Sequence, residues 1–260
     1  MRKYFGLALA AMISLAASHA AAAVIYQENF GGAGAALNGK AVGPTAANWA
    51  SGSVYLDNGA VGTVVGSATG QGAHLPFAPQ TGNVYTLKAT ILNTFADWIA
   101  VGFFPALPSG GDWTITAANM RHSNGSAYAW GLNRNHPTAN NQEFFNGINT
   151  SNPLAGVNGD LVDPLAPVDY KIVLDTTAAT WTATYFLNGV QRGTTQNLPT
   201  GANTGIGGVG FSRTSNSAAG TGGVVSKFEL SVVSPVPEPA SLALGMVGLI
   251  GVGAVARRRK

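Results

Sequence analysis

From Tyr26 to Val233 no segment of ten or more residues carries apolar side chains at helical spacing; apolar and polar residues alternate instead. An alternation of period two is what a strand with one buried face requires, and it confines the middle of the chain to an all-β fold. In Val84–Ile91, Tyr85, Leu87, Ala89 and Ile91 share one face and Thr86, Lys88 and Thr90 the other. Tyr170, Ile172 and Leu174 oppose Lys171 and Asp175, and Trp181, Ala183, Tyr185 and Leu187 oppose Thr182 and Thr184. In the last such segment Ser226, Phe228, Leu230 and Val232 are expected to face inward and Lys227, Glu229 and Ser231 outward. Trp98–Phe104 is apolar on both faces, as a central strand covered on both sides would be. Asn188-Gly189 lies between two strand-like runs and predicts a type I′ hairpin, and Asp57-Asn58-Gly59 is a turn of the same chemistry. The polar stretches Arg121–Asn141 and Thr150–Pro167 read as long loops, where binding function usually sits. Two sheets packed face to face are the simplest way to bury so many half-apolar strands in one domain.

The formal net charge of +3 suggests affinity for nucleic acid until the charges are placed. Of the 14 Lys and Arg, six sit at the ends: Arg2, Lys3, Arg257, Arg258, Arg259 and Lys260. Between Val24 and Val236 eight positive charges face ten carboxylates, so no basic patch is expected and a nucleic-acid partner is excluded. Only 10% of residues are charged, so long-range electrostatics are not expected to dominate any binding. The absence of cysteine removes disulfides, and a domain of this length has enough core without them.

The two ends read as addresses. Arg2 and Lys3 precede an apolar run from Tyr4 to Ala17 and then the small residues Ala20 to Ala23, the layout of a secretory signal peptide over residues 1–23. At the other end Val236-Pro237-Glu238-Pro239 leads into an apolar stretch, about 242–256, and then Arg257-Arg258-Arg259-Lys260. Fifteen helical residues span about 22 Å against a hydrocarbon core of about 30 Å, so this transmembrane helix is a marginal span whose arginines must snorkel. The basic cluster places the C-terminus in the cytoplasm and everything before it outside. The expected organisation is a signal peptide (1–23), a β-sandwich ectodomain (24–234) and a C-terminal segment with one membrane helix (235–260).

That C-terminal segment resembles the PEP-CTERM sorting signal of exopolysaccharide-producing Gram-negative bacteria. The residues that carry the resemblance are Val236, Pro237, Glu238 and Pro239, the short apolar helix, and Arg257, Arg258 and Arg259. It implies recognition by exosortase, processing near Pro237-Glu238-Pro239, and display at the cell surface or in the extracellular matrix. The strands resemble the concanavalin A-like (laminin G-like) jelly roll, through Tyr170–Asp175, Trp181–Gly189, Gly207–Phe211 and the closing strand around Phe228. That resemblance implies a final strand beside the opening one near Glu28-Asn29-Phe30.

Chemistry-bearing motifs are few. Gly205-Ile206-Gly207-Gly208-Val209-Gly210 fits the dinucleotide pattern, but Phe211-Ser212-Arg213-Thr214 continues it as strand or loop rather than helix, so no nucleotide is expected. No two acids stand at i,i+2 or i,i+4 within an expected strand, as glycosidase chemistry would need, and Glu143 stands alone. His74, His122 and His136 lack an orienting acid at readable spacing. No cofactor is expected. Asn158, Asp160 and Asp163 offer three oxygen side chains that leave calcium open, but they lack the denser acidic spacing of a calcium loop, and Asn and Asp beside Gly are ordinary turn formers. Trp113 and Trp130, with Asp112, Asn133 and Arg134, combine stacking faces with hydrogen-bonding groups and form the expected carbohydrate site; core packing of either tryptophan is the competing reading. Trp49, Trp98 and Trp181 fall in strand patterns and are expected in the core.

Three functions remain open on these residues: a non-catalytic surface or matrix protein, a carbohydrate-binding lectin-like module, and a glycoside hydrolase of the same fold.

Overall fold

A computed structural model describes residues 21–51, 55–58, 61–63, 71–92, 98–105, 129–134, 142–146, 154, 166–198, 205–214 and 224–234. Apart from Gly205, which is helical, the elements among them are strands, and these lie in one compact unit, Ala22–Val233. No helix of the described residues is long and apolar enough to cross a membrane; residues 242–256 lie outside them.

The strands form two antiparallel sheets. The larger is built on β1 (Ala23–Glu28), β3 (Ala41–Pro44), β4 (Ala47–Asn48), β9 (Val84–Leu92), β13 (Val168–Asp175), β14 (Thr182–Leu187), β15 (Val190–Asn197) and β17 (Val224–Val233), in the order β15-β14-β13-β9-β17-β1-β3-β4. Joined to it are β2 (Ala33–Ala36), β6 (Tyr55–Asn58) and β7 (Val61–Thr63). The smaller contains β5 (Ala50–Ser51), β8 (Gln71–Pro76), β10 (Trp98–Pro105), β11 (Ala129–Arg134), β12 (Gln142–Asn146) and β16 (Ile206–Thr214), in the order β12-β11-β10-β16-β8-β5. This is the expected two-sheet β-sandwich, with the first described strand beside the last.

The alternation explains the core. Tyr85, Leu87, Ala89 and Ile91 of β9, and Tyr170, Ile172 and Leu174 of β13, are buried against Ile99, Val101 and Phe103 of β10 and Val209 and Phe211 of β16. Aromatic rings join the layers, with Phe144 4.8 Å from Tyr185 and Trp49 5.2 Å from Phe228 between centroids. Two tyrosines of the large sheet also donate hydrogen bonds into backbone carbonyls of the small one. Tyr170 reaches Leu132 at 2.9 Å and Tyr185 reaches Phe145 at 3.0 Å. Burial drives both phenols well above their ordinary pKa, and Glu143 adds to the effect on Tyr170, so both remain neutral donors.

The Asn188-Gly189 hairpin has φ of +48° and +79°, the left-handed pair that a type I′ turn requires. The segment Gly205–Gly210 runs into β16, which continues as strand to Thr214 with no helix to hold a pyrophosphate. Trp49 and Trp181 are core residues, and the side chain of Trp98 lies outside the description.

Two expectations change. The register of β17 against β9 shifts between Val225 and Lys227, so Val225, rather than Ser226, sits in the core. A bulge inserts one residue and flips the alternation upstream of it. The supposed loop Arg121–Asn141 contains a strand, β11. Gly131 and Asn133 hide its apolar side because neither looks like a core residue. Gly131 is nonetheless packed under Tyr170, whose ring would lie 2.6 Å from an added Cβ.

Candidate functional site

Four buried hydrophobic residues stand apart from the main core: Ala100, Trp130, Leu132 and Phe145. They occupy the outer face of the six-stranded sheet, because their strand neighbours Ile99, Val101, Ala129 and Phe144 point inward. Register places them in two cross-strand rows. The first runs Phe145, Trp130, Gly102, Gly210, His74; the second runs Glu143, Leu132, Ala100, Ser212, Gly72.

The first row is an aromatic wall beside a floor without side chains. Trp130 stacks on Phe145 with centroids 4.0 Å apart and planes 11° from parallel. Next to it a Cβ on Gly102 would lie 2.4 Å from the Cβ of Trp130, and one on Gly210 would lie 2.1 Å from the carbonyl oxygen of Ala73. Only glycine fits either place. At the far end His74 is 8% exposed; burial lowers its pKa from 6.5 to about 4, against the opposing pull of a hydrogen bond to the Ala50 backbone. The imidazole is therefore neutral near pH 7. The indole Nε1 of Trp130 and the hydroxyl of Ser212 are buried without a hydrogen-bond partner. These two rows contain a single carboxylate, Glu143. Acid–base hydrolysis of a glycosidic bond calls for two.

Two carboxylates do meet elsewhere, across a lysine. Lys40 Nζ lies 2.7 Å from Glu28 and also pairs with Asp57, whose side chain is 1% exposed. Burial alone would lower the Lys40 amine, but the bonds to Asp57 and Glu28 outweigh it and raise its pKa. Asp57 also accepts the Gly32 backbone N–H at 2.8 Å, and Glu28 that of Phe30 at 2.9 Å. The ammonium ion-pairs with both carboxylates at once. This cluster ties β1 and β6 to the turn at Lys40 and is structural.

Of the expected carbohydrate residues, the two whose side chains are described, Trp130 and Asn133, do not share a face. Trp130 is 0% exposed, with a face covered by Phe145, so it offers no stacking surface; its sequence neighbours gave no sign of a second buried cluster. Asn133 is also 0% exposed and accepts a hydrogen bond from Gln142 Nε2 at 3.2 Å. It stands three positions from Trp130 on one strand, and an odd offset sends the two side chains to opposite faces. Arg134 ends β11 opposite Trp98, with its side chain outside the described residues. Asp112 and Trp113, the calcium candidates Asn158, Asp160 and Asp163, and the sorting residues from Val236 to Arg259 all lie outside them too. Among the described residues no group of three or more His, Asp or Glu is placed to hold a metal ion.

Comparison with known proteins adds two findings. Residues 235–260 match the PEP-CTERM protein-sorting motif. No curated protein matches the chain significantly. Among solved structures, peanut lectin superposes with a TM-score of 0.53 at 12% identity, covering 82% of this chain and 98% of the lectin. The seed lectin of Lotus tetragonolobus gives 0.49 at 14% identity, with 78% and 98% covered. The endo-1,3-beta-glucanase of Streptomyces sioyaensis gives 0.47 at 13%, with 82% and 97% covered. This chain thus joins a β-sandwich with the concanavalin A-like fold of the legume lectins to a PEP-CTERM protein-sorting motif over residues 235–260.

Proposed function

We propose that the protein is a non-catalytic component of the cell surface or extracellular matrix of a Gram-negative bacterium. A signal peptide exports it, the C-terminal helix holds it in the inner membrane, and exosortase processes it near Pro237-Glu238-Pro239. Its sandwich is then displayed in an exopolysaccharide layer. The match of residues 235–260 to the sorting motif carries this reading. Among the described residues, the two outer-face rows hold one carboxylate, Glu143, and a lysine ion-pairs with both Glu28 and Asp57; both observations support a non-catalytic role. Intact-mass analysis of surface-released protein tests it. The expected product lacks both the alanine-rich leader and the arginine-bearing helix, and alanines in place of Pro237, Glu238 and Pro239 leave the helix attached. Mature protein that still ends in Lys260 contradicts the reading.

A second reading, binding of carbohydrate by the sandwich, is favoured by the overlap with peanut lectin. Trp130 is buried and takes no part in this reading, and Asp112 and Trp113 lie outside the described residues. No metal is obligatory in this reading: a chelator leaves the melting temperature unchanged, whereas a large drop would point to calcium at Asn158, Asp160 and Asp163. A glycan array probed with the full chain tests the carbohydrate reading, and an array without a single retained glycan overturns it.

A further inference from the structure

Of the four lysines between Val24 and Val236, three line one groove. Lys88 of β9, Lys171 of β13 and Lys227 of β17 border a depression of about 500 Å³ on the outer face of the large sheet. Gln27 and Asn29 close one side and Gly189 of the hairpin turn the other. The chain has few charges, and the fold gathers them.

Register makes the gathering tight. Lys171 and Lys88 are direct partners, Lys88 partners Glu229, and Thr90 stands between Asp169 and Lys227. Direct partners on one face have Cβ atoms about 4.5–5.5 Å apart, and like charges so placed are unfavourable to folding. The side chains part: Lys88 pairs with Glu229 at 2.9 Å, while Lys171 lies over the Phe186 ring, 3.5 Å from its centroid. Asp169 is committed to Thr90, whose hydroxyl donates to it at 2.6 Å. Lys171 and Lys227 therefore have no carboxylate within salt-bridge distance among the described residues. Lys227 is exposed and Lys171 half-buried on its ring, so two ammonium groups that no carboxylate neutralises line one groove, where an anion can draw both.

We propose that this groove binds an anionic polysaccharide, with a sugar carboxylate held between Lys171 and Lys227 and ring hydroxyls bonded by the side-chain amides of Gln27 and Asn29. The proposal rests on the carbohydrate reading above and names its ligand class. The charge pattern selects against nucleic acid. Asp169 and Glu229 interrupt the lysines, which suits a polymer with widely spaced carboxylates and opposes a duplex carrying a charge every ~1.7 Å. Amide side chains both donate and accept, as sugar hydroxyls require.

Affinity electrophoresis of the full chain in detergent tests this, with polygalacturonate, neutral dextran or duplex DNA in the gel. Polygalacturonate should retard the protein, and dextran and DNA should not. The retardation should vanish at about 1 M salt, where the screening length is about 3 Å. The double variant Lys171→Gln, Lys227→Gln should bind about fivefold more weakly while still unfolding cooperatively as a folded domain. No retardation by polygalacturonate, equal retardation by DNA, or a double variant that binds like the parent overturns the groove. Parent and variant retained alike by dextran would remove the groove while leaving the carbohydrate reading intact.

Discussion

Trp130 and Phe145 are direct register partners on β11 and β12, and their rings stack 4.0 Å apart on the face of the small sheet turned away from the main core. The sandwich therefore has a second apolar layer, and Trp130, one of the two tryptophans expected as sugar platforms, belongs to it.

Trp130→Ala should cost about 3–5 kcal/mol, the range for emptying a buried aromatic site. Trp130→Phe retains a stack on Phe145 and should cost less. Urea denaturation at neutral pH measures both. An unchanged midpoint for Trp130→Ala would mean that the indole is exposed after all.

Gly210→Ala should destabilise more than an ordinary strand substitution. Its Cβ would lie 2.1 Å from the Ala73 carbonyl oxygen and 2.7 Å from the His74 Cα, both backbone atoms that cannot swing aside. A loss of about 1–3 kcal/mol is expected from the overpacking, read as a fall in melting temperature. Gly39→Ala is a poor control, because its φ of +81° brings strain of a different kind. Gly31→Ala, with nothing within 4 Å of the added carbon and no positive φ, should be nearly silent.

His74 should make the fold acid-sensitive. Its pKa falls from 6.5 to about 4 on folding, so between those values the unfolded chain holds a proton that the native protein lacks. Stability is then complete above about pH 6.5, declines as pH falls towards about 4, and loses nothing further from this group below that. The total is about 3 kcal/mol. Denaturation midpoints at about pH 7 and about pH 4.5 should converge in His74→Gln relative to the parent. An equal acid loss in both proteins would assign the effect to carboxylates instead.

Asp57→Ala should be among the most damaging single changes. It strands the Lys40 ammonium with Glu28 alone and leaves the Gly32 N–H without its acceptor. Breaking a fully buried pair from one side costs about 3–5 kcal/mol, and because Lys40 is 30% exposed and keeps Glu28 the loss should fall below that range. Lys40→Met, which leaves two carboxylates facing each other, should also destabilise, and the double variant should lose less than the two singles together. Additive losses in that cycle would show that the two residues do not interact.

Strands with one wet face were legible from local pattern. Leu87 and Lys88, or Ile172 and Lys171, report opposite faces by themselves, because a pleated chain turns successive side chains apart. The Asn188-Gly189 turn was legible for a local reason too: few residues tolerate positive φ twice in succession. β11 was not, since Gly131 and Asn133 earn their core positions only from Tyr170 and Gln142, which other strands bring to them.

By itself the sequence determined the all-β class, the faces of the regular strands and the sorting motif at 235–260, all properties of contiguous residues. Tertiary structure alone decided which strands are neighbours. Lys88, Lys171 and Lys227 each read as an isolated outward charge until β13, β9 and β17 lie side by side. Trp130 reads as a free platform until Phe145 covers it. Strand pairing is non-local: it follows from how the whole set of buried faces closes into two layers, and no short window of residues contains that information.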